Sequence, residues 1–145
     1  MNDLAVSSRA SIERLQAEVS KLPQYEPLTR HHFHGGMYCR EVWRDAEVLV
    51  VGKVHRKEHY YVVASGTLVI TTDEGVQRLT GPALLKSMPG TKRAVYSETA
   101  SLCMTFHRTD ATTVEEAEAE LVEDDDASRY RAGNLLAEQR AGVLT

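Results

Sequence analysis

Gly52-Lys53-Val54-His55-Arg56-Lys57-Glu58-His59-Tyr60-Tyr61-Val62-Val63-Ala64-Ser65-Gly66 is the stretch whose reading decides the fold. His55 and His59 stand four residues apart, the first closing one apolar strand and the second opening the next. The Ser65-Gly66 turn then leads into a third strand, Thr67 to Thr72. Histidines on neighbouring strands can point into one barrel, and neutral imidazole is the commonest protein ligand for a transition metal.

Working outward, the all-β pattern runs from Met37 to Arg108. Alternation and β-branched residues predict strands over 37–44, 47–54, 59–64, 67–72, 76–80, 83–88 and 101–107, with a weaker one at 94–97. Turn residues separate them: Arg44-Asp45, Ser65-Gly66, Asp73-Glu74-Gly75, Gly81-Pro82 and Pro89-Gly90. Asp73-Glu74-Gly75 between two alternating runs is a hairpin signal. Short, evenly spaced strands with few helical intervals predict a sandwich or closed barrel of the jelly-roll kind.

The flanks read differently. Over 8–22, Ile12, Leu15, Val19 and Leu22 follow helical spacing, with Ser7 or Ser8 as cap and Pro23 as stop. Residues 23–36 read as a linker ending in His31-His32-Phe33-His34-Gly35-Gly36. That histidine tract is an exposed loop, an arm folded over the barrel or a second metal site. Beyond Thr109, Thr113-Val114-Glu115-Glu116 fits a capping box, and Val114, Ala117, Leu121 and Val122 would line one helix face. Glu115 to Asp126 holds eight acidic residues in twelve, a solvated helix and acidic loop. Residues 127–145 read as a tail that docks on a neighbouring subunit. The domain organisation is thus an arm over 1–36, a barrel over 37–110 and an acidic helical extension over 111–145.

Composition narrows the function classes. The 145 residues suffice for one domain with a core, and 42% hydrophobic with 26% charged residues is ordinary for a globular protein. No apolar run approaches the ~20 residues of a membrane span. Met1-Asn2-Asp3-Leu4 lacks the basic-then-apolar order of a signal peptide, so a cytoplasmic protein is expected. The net charge of −4 is concentrated in the acidic C-terminal part, with no basic face for nucleic acid. Cys39 and Cys103 lie far apart in strand-like segments and read as two buried free thiols.

The 52–66 stretch resembles the first motif of the cupin family. That motif places two histidines, a glutamate and a final glycine in order. With Gly66 as the glycine, the glutamate position falls on His59, the second histidine on His55 and the first on Lys53. The second motif is represented by Gly81 through Pro89-Gly90-Thr91-Lys92-Arg93-Ala94; its histidine is absent, and Lys92, Arg93 or Ala94 stands near that place. The sequence is similar, more closely, to small cupin-like proteins of bacteriophages and prophages. Gly52-Lys53-Val54-His55 with His59, Gly75-Val76 with Leu79 and Pro82, Ser87 with Pro89 to Ala94, and Thr105-Phe106-His107-Arg108-Thr109 carry that likeness. It spans roughly residues 36–110, about half the chain.

The resemblance implies a cupin-type jelly-roll β-barrel with a short N-terminal helix and a helical acidic C-terminal extension. The expected metal ligands are His55, His59 and His107, the last placed inward by alternation from Cys103 through Thr105. The ion would be a divalent Fe, Mn, Ni or Zn. Without a metal, the same histidines would be neutral, hydrogen-bonded pocket residues. Tyr61 shares the face of His59, while Glu58 alternates away. Lys53, Lys92 and Arg93, cations where ligands are lost, suggest a site for a small anionic ligand at the barrel mouth. They read alternatively as surface charges paired with Glu98, Glu58 or the acidic tail. If strand 47–54 turns Val50, Gly52 and Val54 inward, Lys53 points out, and His55 follows it unless the chain bends. Two functions follow as expectations. One is a metal-dependent protein acting on a small anion, its chemistry open among dioxygenase, isomerase and lyase. The other is a non-catalytic assembly or virion-associated module whose barrel is a scaffold. A homo-oligomer is expected in both, since an unpaired sheet edge invites association.

Overall fold

β-branched and aromatic residues recur along most of the strands, and turn residues such as Gly66 and Gly90 separate several of them. The structure, a computed structural model, describes residues 8–136. The strands are β1 (Leu28–His34), β2 (Met37–Arg44), β3 (Val48–Val51), β4 (His59–Ser65), β5 (Thr67–Thr72), β6 (Gly75–Thr80), β7 (Ala83–Ser87), β8 (Ala94–Ser97) and β9 (Ser101–Arg108). They make two antiparallel sheets, ordered β1-β2-β9-β4-β7 and β3-β8-β5-β6. This is the expected jelly roll.

The core lies between the sheets: Tyr61, Val63, Leu68, Ile70, Val95 and Cys103 form one buried cluster. Gly66 turns β4 into β5 at φ +88°, where an added Cβ would come within 2.5 Å of the Ala100 carbonyl oxygen, so the motif glycine answers a steric need. The outer face of the second sheet is covered by helix α1 (Arg9–Val19). Ile12 and Leu15 of α1 pack on Leu49, Val51 and Ala94, and the Ser8 hydroxyl caps the helix by accepting from Ser11 N.

Strand registers stack the inward residues of the larger sheet in levels. Tyr38 lies opposite His107, Arg40 opposite Thr105, Val42 opposite Cys103 and Arg44 opposite Ser101. From the other side Tyr61 lies opposite Thr105 and Val63 opposite Cys103. The histidine level is therefore at one end of the barrel and the Arg44 backbone at the other.

Four expectations need correction. Residues 28–34, read as part of a linker, form the edge strand β1, paired in full register with β2 from Leu28↔Trp43 to His34↔Met37. The histidine tract is thus a strand: His31 turns inward and bonds the Tyr38 hydroxyl through Nδ1 at 2.5 Å, while His32 bonds Glu41 on the outer face. Strand 47–54 stops at Val51. Within 127–136 the tail also holds structure that its weak periodicity does not predict. After helix α2 (Val114–Leu121), capped by Thr113 as its capping box predicts, a small hairpin of β10 (Tyr130–Arg131) and β11 (Leu135–Leu136) docks on its own chain. Leu136 is buried, its N–H donates to Glu26, and Asn134 donates to Thr29. Residues 137–145 of the tail lie outside the described residues. Finally, Cys103 is buried but Cys39 only partly so, because Cys39 faces away from the core on β2.

Candidate functional site

His59 and His107 reach the site because they open and nearly close strands that neighbour each other in one sheet, both with inward parity. His55 arrives differently. After Val51 the chain leaves the strand, and Gly52 N and His55 N donate to the carbonyls of Arg93 and Thr91 at 3.0 and 2.9 Å. His55 then makes a single antiparallel bridge to Val122, beyond α2. This irregular segment is the bend that frees His55 from strand parity. Flanking bonds from Arg56 N to Leu121 O and from Glu123 N to Val54 O clamp it.

The three imidazoles converge. Among the described residues, one ligand atom from each of His55, His59 and His107 lies within 4.8 Å of the others. Ring centroids are 4.4 Å apart for His55–His59 and His59–His107, and 5.5 Å for His55–His107. At metal–nitrogen distances of ~2.1 Å two nitrogens of a tetrahedral set stand ~3.4 Å apart, so ring rotations that contract the set would close it onto an ion. His59 Nδ1 lies 3.1 Å from the Lys57 carbonyl oxygen; donating there, it leaves Nε2 as a free lone pair, the arrangement typical of metal-binding histidine.

Burial keeps the cluster neutral. Desolvation first, then the neighbouring His59 and Arg40, hold His55 down to about 3. Desolvation and then His59, His55 and Arg40 hold His107 down to about 2. His59 is lowered as well, chiefly by burial. Neutral imidazoles offer lone pairs at neutral pH, so the donor set fits a borderline divalent ion.

The site opens into a cavity of about 130 Å³. Tyr61 lines it, on the face of His59 as expected, and Glu58 is exposed. Lys53 lines it too, half-buried. Arg93 turns in, its guanidinium carbon 5.7 Å from the Tyr61 ring centre. Lys92, expected beside it, does not line this cavity. Its parity is opposite, and its ammonium is buried under α1 on Gln16 (2.7 Å) and Asp125 (3.0 Å). Lys92 therefore joins the helix to the acidic segment.

The sequence reading missed two arginines and a carboxylate. β2 turns Tyr38, Arg40, Val42 and Arg44 inward and sends Met37, Cys39 and Trp43 out. Counting apolar residues favours the opposite parity. The signal that could have found them is the Arg40–Arg44 spacing, which puts both arginines on one strand face with Tyr38 and Val42. Arg40 donates to Glu118 of α2 at 2.5 Å and to the Tyr38 hydroxyl at 2.8 Å. The acidic helix thus lies over the barrel mouth, with Ala117 and Leu121 packed against Tyr38.

Solved structures share this fold. The chain is similar to a cupin superfamily protein from Desulfitobacterium hafniense at 14% identity and a TM-score of 0.52, over 65% of this chain and 87% of that one. It is also similar to KdgF from Halomonas, at 13% identity and 0.50, over 57% and 80%. A third likeness, 12% identity and 0.55 over 83% of this chain, is to a mutant salicylate 1,2-dioxygenase from Pseudoaminobacter salicylatoxidans in complex with gentisate. This chain spans 36% of that enzyme's length. No protein-family model matches the sequence, and no curated protein matches it. The barrel is of the cupin type.

Proposed function

We propose that this cupin-fold chain binds a divalent metal on His55, His59 and His107 and a small anionic ligand in the cavity beneath. The observation that carries the reading is the convergence of three neutral imidazoles within 4.8 Å. A bound ion would supply Lewis acidity or an open coordination position. The chain's own residues do the rest. The Lys57 carbonyl orients His59, α2 covers the mouth, and Glu118 neutralises Arg40 at the edge of the site. Among the described residues Arg40, Arg44, Lys53, Arg93 and Arg131 line the cavity against one carboxylate, Glu118, so an anion is the ligand this lining favours. Such an anion would also offset the repulsion between these cations and a divalent ion.

Elemental analysis tests the metal. Protein purified without chelator is expected to carry about one Fe, Mn, Ni or Zn per chain, and His55→Ala, His59→Ala or His107→Ala to cut affinity by more than ~100-fold, since loss of even a hydrogen-bond partner of a ligand costs 10- to 100-fold. Absence of bound metal after loading with each of the four ions would remove this reading.

A second reading, self-association, is favoured by a separate observation. The outer face of the larger sheet leaves Leu28, Met37, Trp43, Tyr60 and Leu84 exposed, an apolar surface suited to a second copy. The resemblance to phage proteins would place such an oligomer in a host cytoplasm or on a virion, and no helix among the described residues is long and apolar enough to cross a membrane. Light scattering is expected to give a dimer or higher state for the native chain and a monomer for Trp43→Glu; a native monomer would refute it.

A further inference from the structure

We propose that the inner part of this cavity is a carboxylate site in which Arg44 and the Tyr61 hydroxyl, with Arg93 beside them, receive the carboxylate of a small organic acid. The proposal rests on the anionic-ligand reading and gives it a chemical class and a set of residues.

Three residues that line one cavity, Arg44, Tyr61 and Arg93, carry buried polar atoms without hydrogen-bond partners. Arg44 Nε and Nη1 have no hydrogen-bond acceptor although both are shut off from solvent. The Tyr61 hydroxyl is equally enclosed and unbonded, on a residue only 7% exposed. Arg93 Nε is the third. The other two Arg93 nitrogens donate to the Thr71 carbonyl (2.7 Å) and the Ser87 hydroxyl (2.8 Å), which fixes the guanidinium while leaving Nε free. Arg44 lies close enough to Tyr61 and Cys103 for their side chains to act on its charge, and burial raises the Tyr61 phenol. An arginine cannot shed its proton, so an enclosed guanidinium calls for a counter-anion. Among the described residues none supplies one, because Glu118, the one acidic side chain of these lining the cavity, is bonded to Arg40 and to Gly133 N.

The class of anion follows from the walls. Val42, Val50, Val95 and Cys103 line the same space, so the ligand has an apolar body. About 130 Å³ compares with the ~150 Å³ engineered cavity that takes up benzene, which limits that body to a small ring or short chain. Guanidinium and phenol donors facing a planar acceptor suit a carboxylate. The acid's far end would extend toward the three imidazoles along the shared cavity.

The test uses chelator-treated full-length protein, so that it stands apart from the metal. Calorimetric titrations with benzoate and butyrate are run beside benzamide, butanol and inorganic phosphate, on native protein, Arg44→Met and Tyr61→Phe. At least one carboxylate is expected to bind native protein, at least tenfold more weakly to Arg44→Met and several-fold more weakly to Tyr61→Phe. The neutral isosteres should fail to bind. Without ligand, Arg44→Met should melt no lower than native protein, since it removes an unpaired buried charge; an arginine serving only the fold would lower the midpoint. The proposal is overturned if neither acid binds, if Arg44→Met and Tyr61→Phe bind as native protein does, or if phosphate binds tighter than both acids. Metal stoichiometry is untouched by any of these outcomes, so failure here and failure of the metal centre are separable.

Discussion

Glu118→Gln is expected to destabilise the protein by on the order of 3 kcal/mol, a fall of about 10 °C in melting temperature for a chain of this size. The argument starts from Arg40. Its guanidinium points into the barrel and meets the Glu118 carboxylate at 2.5 Å, with side-chain exposures of 17% and 12%. Removing one member of a mostly buried pair leaves the other charge desolvated and uncompensated, which costs more than the intact pair contributes. Here the damage spreads. Glu118 also accepts from Gly133 N at 2.6 Å, and Arg40 donates to Tyr38 and Asn134, so one carboxylate holds α2, the C-terminal hairpin and β2 together. Urea unfolding of Glu118→Leu, Arg40→Met and the double variant checks this. The double variant should lose clearly less than the two single losses added, because neither charge is then stranded. Strict additivity would show that the pair does not act as a unit. Metal affinity should fall about tenfold in Glu118→Gln, as for other changes just behind the ligands, because an unneutralised Arg40 then faces the imidazoles.

This ion pair also shows where reading the sequence stops. Features set by neighbours in sequence were legible: β4 and β5 from their alternation, the Thr113 cap from its box, and His59, Tyr61 and His107 on inward faces from period two. Features set by distant segments were not. β2 alternates between one set holding Met37, Cys39 and Trp43 and another holding Tyr38, Arg40, Val42 and Arg44, and composition favours burying the first. The larger sheet buries the second because Arg40 finds Glu118, 78 residues further along the chain. β1 escaped notice because an edge strand rich in histidine has no apolar alternation of its own; its pairing with β2 makes it a strand. Lys92 and Arg93 are adjacent in sequence and opposite in role: alternation turns Arg93 into the cavity and sends Lys92 to Gln16 of α1 and to Asp125. His55 depended on a bend whose clamps come from Thr91 and from the segment after α2.

The metal-free protein is expected to lose stability as the pH falls from 7.5 to 5.5, by about 2 kcal/mol. Unfolded histidines take up protons near 6.5, whereas desolvation and mutual repulsion hold His55 at about 3 and His107 at about 2 in the folded chain. Below 6.5 the unfolded chain therefore binds protons that the native cluster refuses, and equilibrium moves toward unfolding. The contribution is complete above the unfolded value and is lost as the pH falls toward the folded ones. Each ring is worth up to ~1.4 kcal/mol per pH unit in that window, with less from His55, which is partly open to solvent and so partly screened. The window isolates the histidines. At Asp125 burial pushes the carboxyl up, but hydrogen bonds from Gln16 and Lys92 outweigh it and leave it lowered. Glu120 is lowered by its hydrogen bonds from Lys57 and Thr109. Both therefore lose their stabilising contribution only below the ordinary carboxylate range. Urea midpoints of chelator-treated protein at pH 7.5, 6.5 and 5.5 measure the slope. The His55→Gln/His107→Gln double variant should show a much shallower one. A native slope that is flat or reversed over this interval, or a double variant with the native slope, would mean that the imidazoles are not held neutral by burial, and the donor set would lose the property that suits it to a metal.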